Sequence, residues 1–343
     1  MRKITKYPYY EVNFLKLGDA DSIILAYQES ANSELRLALI DAGNVDDAET
    51  IRLEILNSYN REGVDVAILT HPDKDHKGGF FGLLQSPKFS IGEFWLAAPW
   101  VRHPTPANKN DKSIVMPTQE ESKHIYNHPS DEKLNLLTLL FNKQKKGEVH
   151  VKDAYQGKDF RPIMPLTIVG PTLDFADRNA KIMVSEFAEI EDDKKMEAYV
   201  EEAEVDENKT KSTINAEPDD TSATNMSSVI LLFNPGPKFL LTGDASRASL
   251  NGMLDENEVQ FKHCILKVPH HGSKHNLNTD LIDRLEPEQS AICCAGTTKH
   301  PSKGVVYWLS KYGNVYSTHK GSFYYNSEET VKPATPLKEK MKE

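Results

Sequence analysis

Long apolar runs are missing from this 343-residue sequence. No stretch approaches the roughly 20 consecutive apolar residues needed to cross a bilayer. The first residues, Met1-Arg2-Lys3-Ile4-Thr5-Lys6-Tyr7-Pro8, lack the apolar core of a secretion signal. Cysteine is scarce: Cys264, Cys293 and Cys294 are an odd set without regular spacing, which excludes a disulfide framework. Cys293 and Cys294 lie in the apolar stretch Ala291–Ala295 and read as small buried hydrophobes. These absences predict a cytoplasmic protein with no membrane association. Positive charge is also short. Lys and Arg total 41 against 51 Asp and Glu, a formal charge of −10. That argues against broad, nonspecific duplex binding. It leaves room for a nuclease, because metal ions and local lysines can handle phosphate.

The length suits one large layered domain or two ordinary ones. The most informative stretch is Leu69-Thr70-His71-Pro72-Asp73-Lys74-Asp75-His76-Lys77-Gly78-Gly79. The apolar run Val64–Leu69, broken only by Asp65, ends, and four candidate ligands follow within six positions. Neutral imidazole and carboxylate are the groups that borderline and hard divalent metals accept. A solvated turn with an Asp helix cap would have the same composition. Two later segments weigh against that reading. Phe239-Leu240-Leu241-Thr242-Gly243-Asp244 is an apolar strand ending in a carboxylate. Ile265-Leu266-Lys267-Val268-Pro269-His270-His271-Gly272-Ser273 is another, ending in paired histidines. Three strand ends that each deliver ligands predict a site between sheets rather than within one loop.

Elsewhere, turn residues separate strands within Val12–Tyr27, and Leu35–Ile40 reads as a strand. Asp46–Tyr59 has helical spacing of Ile51, Ile55 and Leu56. Residues from about Arg102 to Asp131 are polar and proline-bearing, and read as a long loop over the site. Leu134–Lys145 reads as a helix and Leu166–Val169 as a strand. Composition then shifts. Glu186–Glu207 is dominated by acids and reads as an exposed helix; Asn208–Thr224 is polar and reads as a flexible loop. This acidic insertion, about 175–224, is a solvated segment or a docking segment for a protein partner. Strands follow at Val229–Phe233, Phe239–Leu241, Ile265–Val268, Ala291–Ala295 and Asn314–Tyr316, with helices near Asn278–Leu285 and Ser302–Tyr312. Two mixed β-α halves predict two facing sheets with helices outside, an α/β (α+β) fold in four αββα layers.

The order T-H-x-D-x-D-H, T-G-D, P-H-H-G-S resembles the metallo-β-lactamase superfamily and, within it, the C-terminal hydrolase-like domain of the DNA-uptake protein ComEC. Leu39-Ile40-Asp41-Ala42-Gly43 resembles the superfamily's early strand ending in Asp-Gly. Asn225-Met226-Ser227-Ser228, Lys299-His300-Pro301 and Val315-Tyr316-Ser317-Thr318-His319-Lys320-Gly321 resemble later segments of that subgroup, with His319 where Asp is usual. The resemblance runs from about Val12 to Tyr325. It implies a single domain over 1–330, with 331–343 a disordered charged tail. In ComEC the related domain is fused to a membrane channel, so a role in DNA import does not carry over.

The resemblance implies one or two divalent metal ions, Zn or Mn, with Mg as a further option. His71 and Asp73 would hold one position, Asp75, His76 and His270 the other, and Asp244 would bridge them. Asp75 and His76 are the catalytic candidates, Asp75 also orienting the attacking hydroxide. Two departures matter. Asp73 replaces the second histidine of the commoner H-x-H-x-D-H pattern, which hardens that position toward Mn or Mg. The usual middle histidine has no equivalent; Asn225 and Ser228 occupy its region. His270 is preferred over His271 as ligand because it follows the strand more directly. The other would contact substrate or brace the loop. Ser273 and Lys274 are candidates to hold a phosphate, and His300 and His319 are secondary substrate-binding candidates. His103, His124 and His128 are weak ligand candidates in the polar loop, and Trp95 and Trp100 read as packing residues.

The leading function is a metal-dependent hydrolase, a phosphodiesterase or nuclease with a phosphodiester or nucleic-acid substrate. A lactone, ester or thioester hydrolase of the same fold is the alternative, because a fold does not fix a function. The third reading is a non-catalytic sensor or partner module with a decayed site.

Overall fold

The computed structural model describes residues 2–102, 116–189, 207–296 and 300–328. His103, Lys299, the most acidic part of the insertion (190–206) and the C-terminal tail lie outside them.

Apolar residues alternate along the first strands, so each strand faces two environments. Strands β1 (Tyr9–Phe14), β2 (Ile23–Gln28), β3 (Arg36–Ile40), β4 (Gly63–Ile68), β5 (Ser90–Leu96) and β6 (His150–Asp153) form one sheet. The other holds β7 (Leu166–Gly170), β8 (Ile230–Phe233), β9 (Phe239–Leu241), β10 (Ile265–Lys267), β11 (Gln289–Ile292) and β12 (Asn314–Ser317). A last strand, β13 (Phe323–Asn326), returns to the first sheet, whose order is β13-β1-β2-β3-β4-β5-β6; the second runs β12-β11-β10-β9-β8-β7. Each sheet mixes an antiparallel part with a parallel part, β3 to β6 in one and β9 to β12 in the other.

The core between the sheets draws on both. Val12, Phe14, Ile40, Val66 and Ile68 meet Leu231, Phe233, Phe239, Leu241 and Ala291. Burying one such side chain contributes roughly 1.5–3 kcal/mol. The outer face of the first sheet packs on helices Ala48–Tyr59, Lys74–Gln85 and Leu136–Lys145 through residues such as Ile55, Phe80 and Leu140. The outer face of the second packs on helices Arg247–Phe261, Thr279–Leu285 and Lys303–Leu309 through Leu254, Leu281 and Val305. The layers are αββα, as expected.

Several segments differ from the sequence reading. Part of the expected long loop at 102–131 is helical, Gln119–Ser122 and Lys123–Tyr126. Thr118 and Glu121 form a reciprocal capping box that satisfies the first free N–H groups, and Ile125 and Tyr126 are buried in the outer core. Asn208–Thr224, expected to be flexible, contains the helix Glu207–Ala216, seated by the buried Ile214. The helix Arg247–Phe261 was not anticipated; Ser246 caps it, its hydroxyl accepting from Ser249 N. Cys293 and Cys294 lie just past β11 rather than within it, and both are buried free thiols. No helix among the described residues is long and apolar enough to cross a membrane.

Ligands of parallel sheets gather at the carboxyl ends of the strands. Here Asp41 follows β3, the His71–His76 segment follows β4, Asp244 follows β9, and the His270–His271 pair follows β10.

Candidate metal centre

The first sheet sets its imidazoles through a short chain of hydrogen bonds. Asp41 follows β3 with a left-handed backbone (φ 55°). Its carboxylate accepts from Thr70 N (2.8 Å) and Thr70 Oγ1 (2.7 Å). With its proton given to Asp41, the Thr70 hydroxyl accepts from His71 Nδ1 at 3.0 Å. Asp41 Oδ2 also lies 2.8 Å from His76 Nδ1. A carboxylate only accepts, so both rings carry a proton on Nδ1 and turn Nε2 inward. Both Nε2 atoms are buried without a hydrogen-bond partner. The two ring centroids lie 4.0 Å apart.

The helix that starts at Lys74 carries Asp75 and His76 in its first turn. Asp73 stands at the N-cap, but its side chain makes no capping hydrogen bond. Its Oδ2 lies 3.8 Å from His71 Nε2 instead. The helix can start this close because of Gly79: a Cβ there would lie 2.1 Å from the Ala42 carbonyl oxygen.

The second sheet brings Asp244 beneath these rings. Gly243, at φ 51°, makes the turn, and a Cβ on it would lie 2.9 Å from Thr70 Oγ1. Asp244 Oδ2 lies 3.5 Å from His76 Nε2, 3.9 Å from His71 Nε2 and 4.0 Å from His270 Nε2. Its other oxygen faces Lys267 Nζ at 3.6 Å. Lys267 is 1% exposed, pairs with Asp21 and donates to the Gly243 carbonyl at 2.7 Å. Such a buried cation persists only when paired and hydrogen-bonded.

His270 and His271 separate. His271 Nδ1 donates to the Cys293 carbonyl (2.8 Å), and its Nε2 lies 3.3 Å from Asp75 Oδ2. His270 Nδ1 faces Asn276 Oδ1 (3.0 Å) and Asp220 Oδ2 (3.3 Å). The sets whose ligand atoms already lie within 4.8 Å of one another are His71–His76–Asp244, Asp75–His76–His271 and Asp21–Asp41–His76. In the last set Asp41 faces the opposite ring nitrogen of His76, and Asp21 is committed to Lys267. His271 rather than the preferred His270 thus stands with Asp75 and His76.

Burial and charge polarise these groups. Burial and the neighbouring His76 pull His71 down to about 4. Burial would also lower His76, but Asp244, Asp41 and Asp75 hold it well above the ordinary histidine range, so without a cation its Nε2 carries a second proton that a bound cation would displace. Partial burial and the neighbouring Asp75 push Asp73 up to about 6. Asp244 is buried, yet His76 and His270 hold it well below the usual carboxylate range. Carboxylates and inward imidazole nitrogens converging at one point have the chemistry of a divalent-cation cradle, and the partnerless Nε2 atoms of His71 and His76 fit that use.

The remaining candidates spread out. Ser273 Oγ accepts from His275 N at 3.2 Å, and Lys274 Nζ pairs with Glu217 at 2.7 Å. His300 lies beside the pair, 5.7 Å from His270 and 6.1 Å from His271 between ring centroids. His319 Nδ1 is 3.1 Å from Ser317 Oγ. His124 faces the Val184 carbonyl and His128 packs on Phe81; neither joins a ligand set among the described residues. Trp95 packs on Phe160, and Trp100 on Tyr126. Sequence reasoning missed Asp21, Lys267 and Asp220 as parts of the site. Lys267 had a signal, a lone charge in an apolar strand; Asp220, inside a polar stretch, had none.

Residues 32–151 match the family described as the metallo-beta-lactamase superfamily. ComE operon protein 3 of Bacillus subtilis (strain 168) is 33% identical over 103 residues, which are 28% of this chain and 12% of that protein. The match therefore spans only a small part of that relative's length. A solved structure of a diphosphatase from the PhnP family aligns over 93% of this chain and 97% of its own, with a TM-score of 0.43 and 10% identity.

Proposed function

We propose that the chain is a metal-dependent hydrolase of the metallo-β-lactamase superfamily acting on phosphodiesters, a reading supported by the family match over residues 32–151 and the similarity to ComE operon protein 3. The observation that carries this reading is the pair of buried, partnerless Nε2 atoms of His71 and His76 beside Asp244. His71, Asp73 and Asp244 would hold one cation; Asp75, His76, His271 and Asp244 would hold a second. Bound divalent ions would polarise a substrate oxygen and lower the pKa of water at neutral pH. A carboxylate at position 73 in place of the commoner histidine favours a harder ion, manganese over zinc. That preference suits phosphate oxygens and is the reason for choosing a phosphodiester over an ester or lactone.

The chain's own residues do the positioning. Asp41 and Thr70 hold the first-sheet imidazoles in the tautomer that faces inward. Lys267 engages one oxygen of Asp244 and leaves the other facing the rings. Asp75, between His76 and His271, is the carboxylate that orients the attacking water. His300, beside the His270–His271 pair, would contact the substrate. Lys274, already paired with Glu217, has a weaker claim to a phosphate. Residues 1–330 form one catalytic unit in this reading.

The test is cleavage of bis(p-nitrophenyl) phosphate and of a labelled single-stranded oligonucleotide by manganese-loaded protein, beside a lactone and thioester panel. Turnover of the phosphodiesters, falling by roughly 10²–10⁴ in Asp75→Ala and His76→Ala, supports the proposal. Turnover of the lactone or thioester panel alone would move the reading to carboxylic esters, and no turnover of any substrate would contradict it.

A further inference from the structure

We infer that His270 and His271 serve different cations, with His270 as the third imidazole of the first position and Asp220 as the residue that holds it there. The inference rests on the metallohydrolase reading above and assigns a ligand that reading leaves out. The starting point is a gap: no histidine occupies the stretch before the Thr242-Gly243-Asp244 turn, where Asn225 and Ser228 stand. Neither residue supplies an imidazole there; Asn225 Oδ1 is buried without a hydrogen-bond partner, and Asn225 Nδ2 lies 3.4 Å from His270 Nδ1. Ser228 Oγ accepts from Asp244 N at 3.2 Å, and Asn225 Nδ2 donates to Asp220 Oδ2 at 2.6 Å.

His270 reaches the same region from the other side. Its Nε2 lies 4.0 Å from Asp244 Oδ2, the oxygen that also faces His71 and His76. Its orientation follows from its neighbours. Asn276 Nδ2 donates to Asp220 Oδ2 (2.9 Å) and to the Asp244 carbonyl (3.1 Å), which turns Asn276 Oδ1 toward His270. With Asn276 Oδ1 and Asp220 Oδ2 both accepting, His270 carries a proton on Nδ1 and turns Nε2 toward Asp244. A carboxylate behind a histidine is the usual support for a metal-binding imidazole.

The backbone separates the two rings. His270 and His271 have φ of 44° and 52°, and their ring planes meet at 69°. Non-glycine residues in the left-handed region are strained, and they cluster at functional sites. Here the consecutive turns send one imidazole to Asp244 and the other to Asp75. Asp220 is also brought in deliberately. Arg247, 5% exposed, donates to the carbonyls of Ile214 and Glu217 (2.9 Å each) and pairs with Asp219 at 3.3 Å, pinning the limb that ends at Asp220. Around the first position His71 and Asp244 are buried, whereas the side chains of Asp73 and His270 are 36% and 32% exposed. The second position is the more deeply enclosed, with His76 and His271 buried and Asp75 21% exposed.

Manganese titration of the metal-stripped full-length protein, counting free Mn²⁺ by electron paramagnetic resonance, tests this. His270→Asn is the informative variant because asparagine accepts a left-handed backbone; Asp220→Asn leaves the histidine in place. Wild type should take up two equivalents of unequal affinity. His270→Asn should lose the weaker, and His271→Asn the tighter. Asp220→Asn should keep both, with the weaker reduced roughly 10- to 100-fold. Two equivalents at wild-type affinity in His270→Asn would overturn the inference. So would one equivalent in wild type that survives His270→Asn. Either result leaves the metallohydrolase reading standing, whereas no uptake by wild type would sink both.

Discussion

In the first sheet's half of the molecule four candidate ligands come from one six-residue segment, His71–His76, at the end of β4 and the start of a helix. In the second half they come from separate strand ends: Asp244 after β9, His270 and His271 after β10, with Asp220 reaching in from the insertion. The contiguous half is held by local bonds, Asp41 to Thr70 to His71 and Asp41 to His76. The dispersed half is held by buried long-range contacts, Lys267 to Asp21 and Asp244, and Arg247 to the limb before Asp220. A site built this way takes its ligand types from one motif and its geometry from the fold.

The two halves meet at Asp244, so removing it should have the largest effect. Asp244→Ala should abolish uptake of both manganese equivalents and lower phosphodiester turnover by roughly 10³-fold or more, read by titration and initial rates. The brace of the dispersed half comes next. Lys267→Met leaves Asp21 and Asp244 buried without their cation and should cost about 3–5 kcal/mol in denaturant unfolding. The double variant Asp21→Asn/Lys267→Met should recover part of that loss, because one of the stranded charges goes with it. In the contiguous half, Gly79→Ala forces a Cβ against the Ala42 carbonyl and should cost about 1–3 kcal/mol by the same measurement.

Asp220 sharpens the comparison through pH. Burial would raise its pKa, but hydrogen bonds from His270, Asn225 and Asn276 pull it down to about 2 from 3.8. A carboxylate depressed in the folded state stabilises above its unfolded pKa, and the contribution disappears as pH falls through the folded value. Wild type should therefore lose about 2 kcal/mol between pH 4 and pH 2 that Asp220→Asn does not lose, seen in unfolding curves across that window. The smallest effect belongs to Lys274. Its ammonium is spent on Glu217, so Lys274→Ala should change turnover less than about twofold and stability by under about 1 kcal/mol.

The strands and the four layers were legible because apolar runs ending in turn residues mark buried strands whatever their partners. The ligand types were legible for the same reason: carboxylates and imidazoles just past such runs stand out. Which member of the His270–His271 pair stands with Asp75 was not legible. Nearness to the strand in sequence suggested His270, but two left-handed residues reverse the order in space. Asp41 was legible through the resemblance of Leu39–Gly43 but not as the group that orients His76, because that contact joins residues 35 positions apart. Asp220 was hidden because a polar stretch gives no sign of folding onto a site; what seats it is Arg247, from a helix the periodicity did not reveal.

The central claim is that imidazoles and carboxylates from both sheets enclose divalent cations. Anomalous diffraction from a manganese-soaked crystal tests it most directly. The account predicts anomalous density between Asp244, His71 and Asp73, and a second peak between Asp244, Asp75, His76 and His271. Density only at surface carboxylates, or none at the inward Nε2 atoms of His71 and His76, would contradict it.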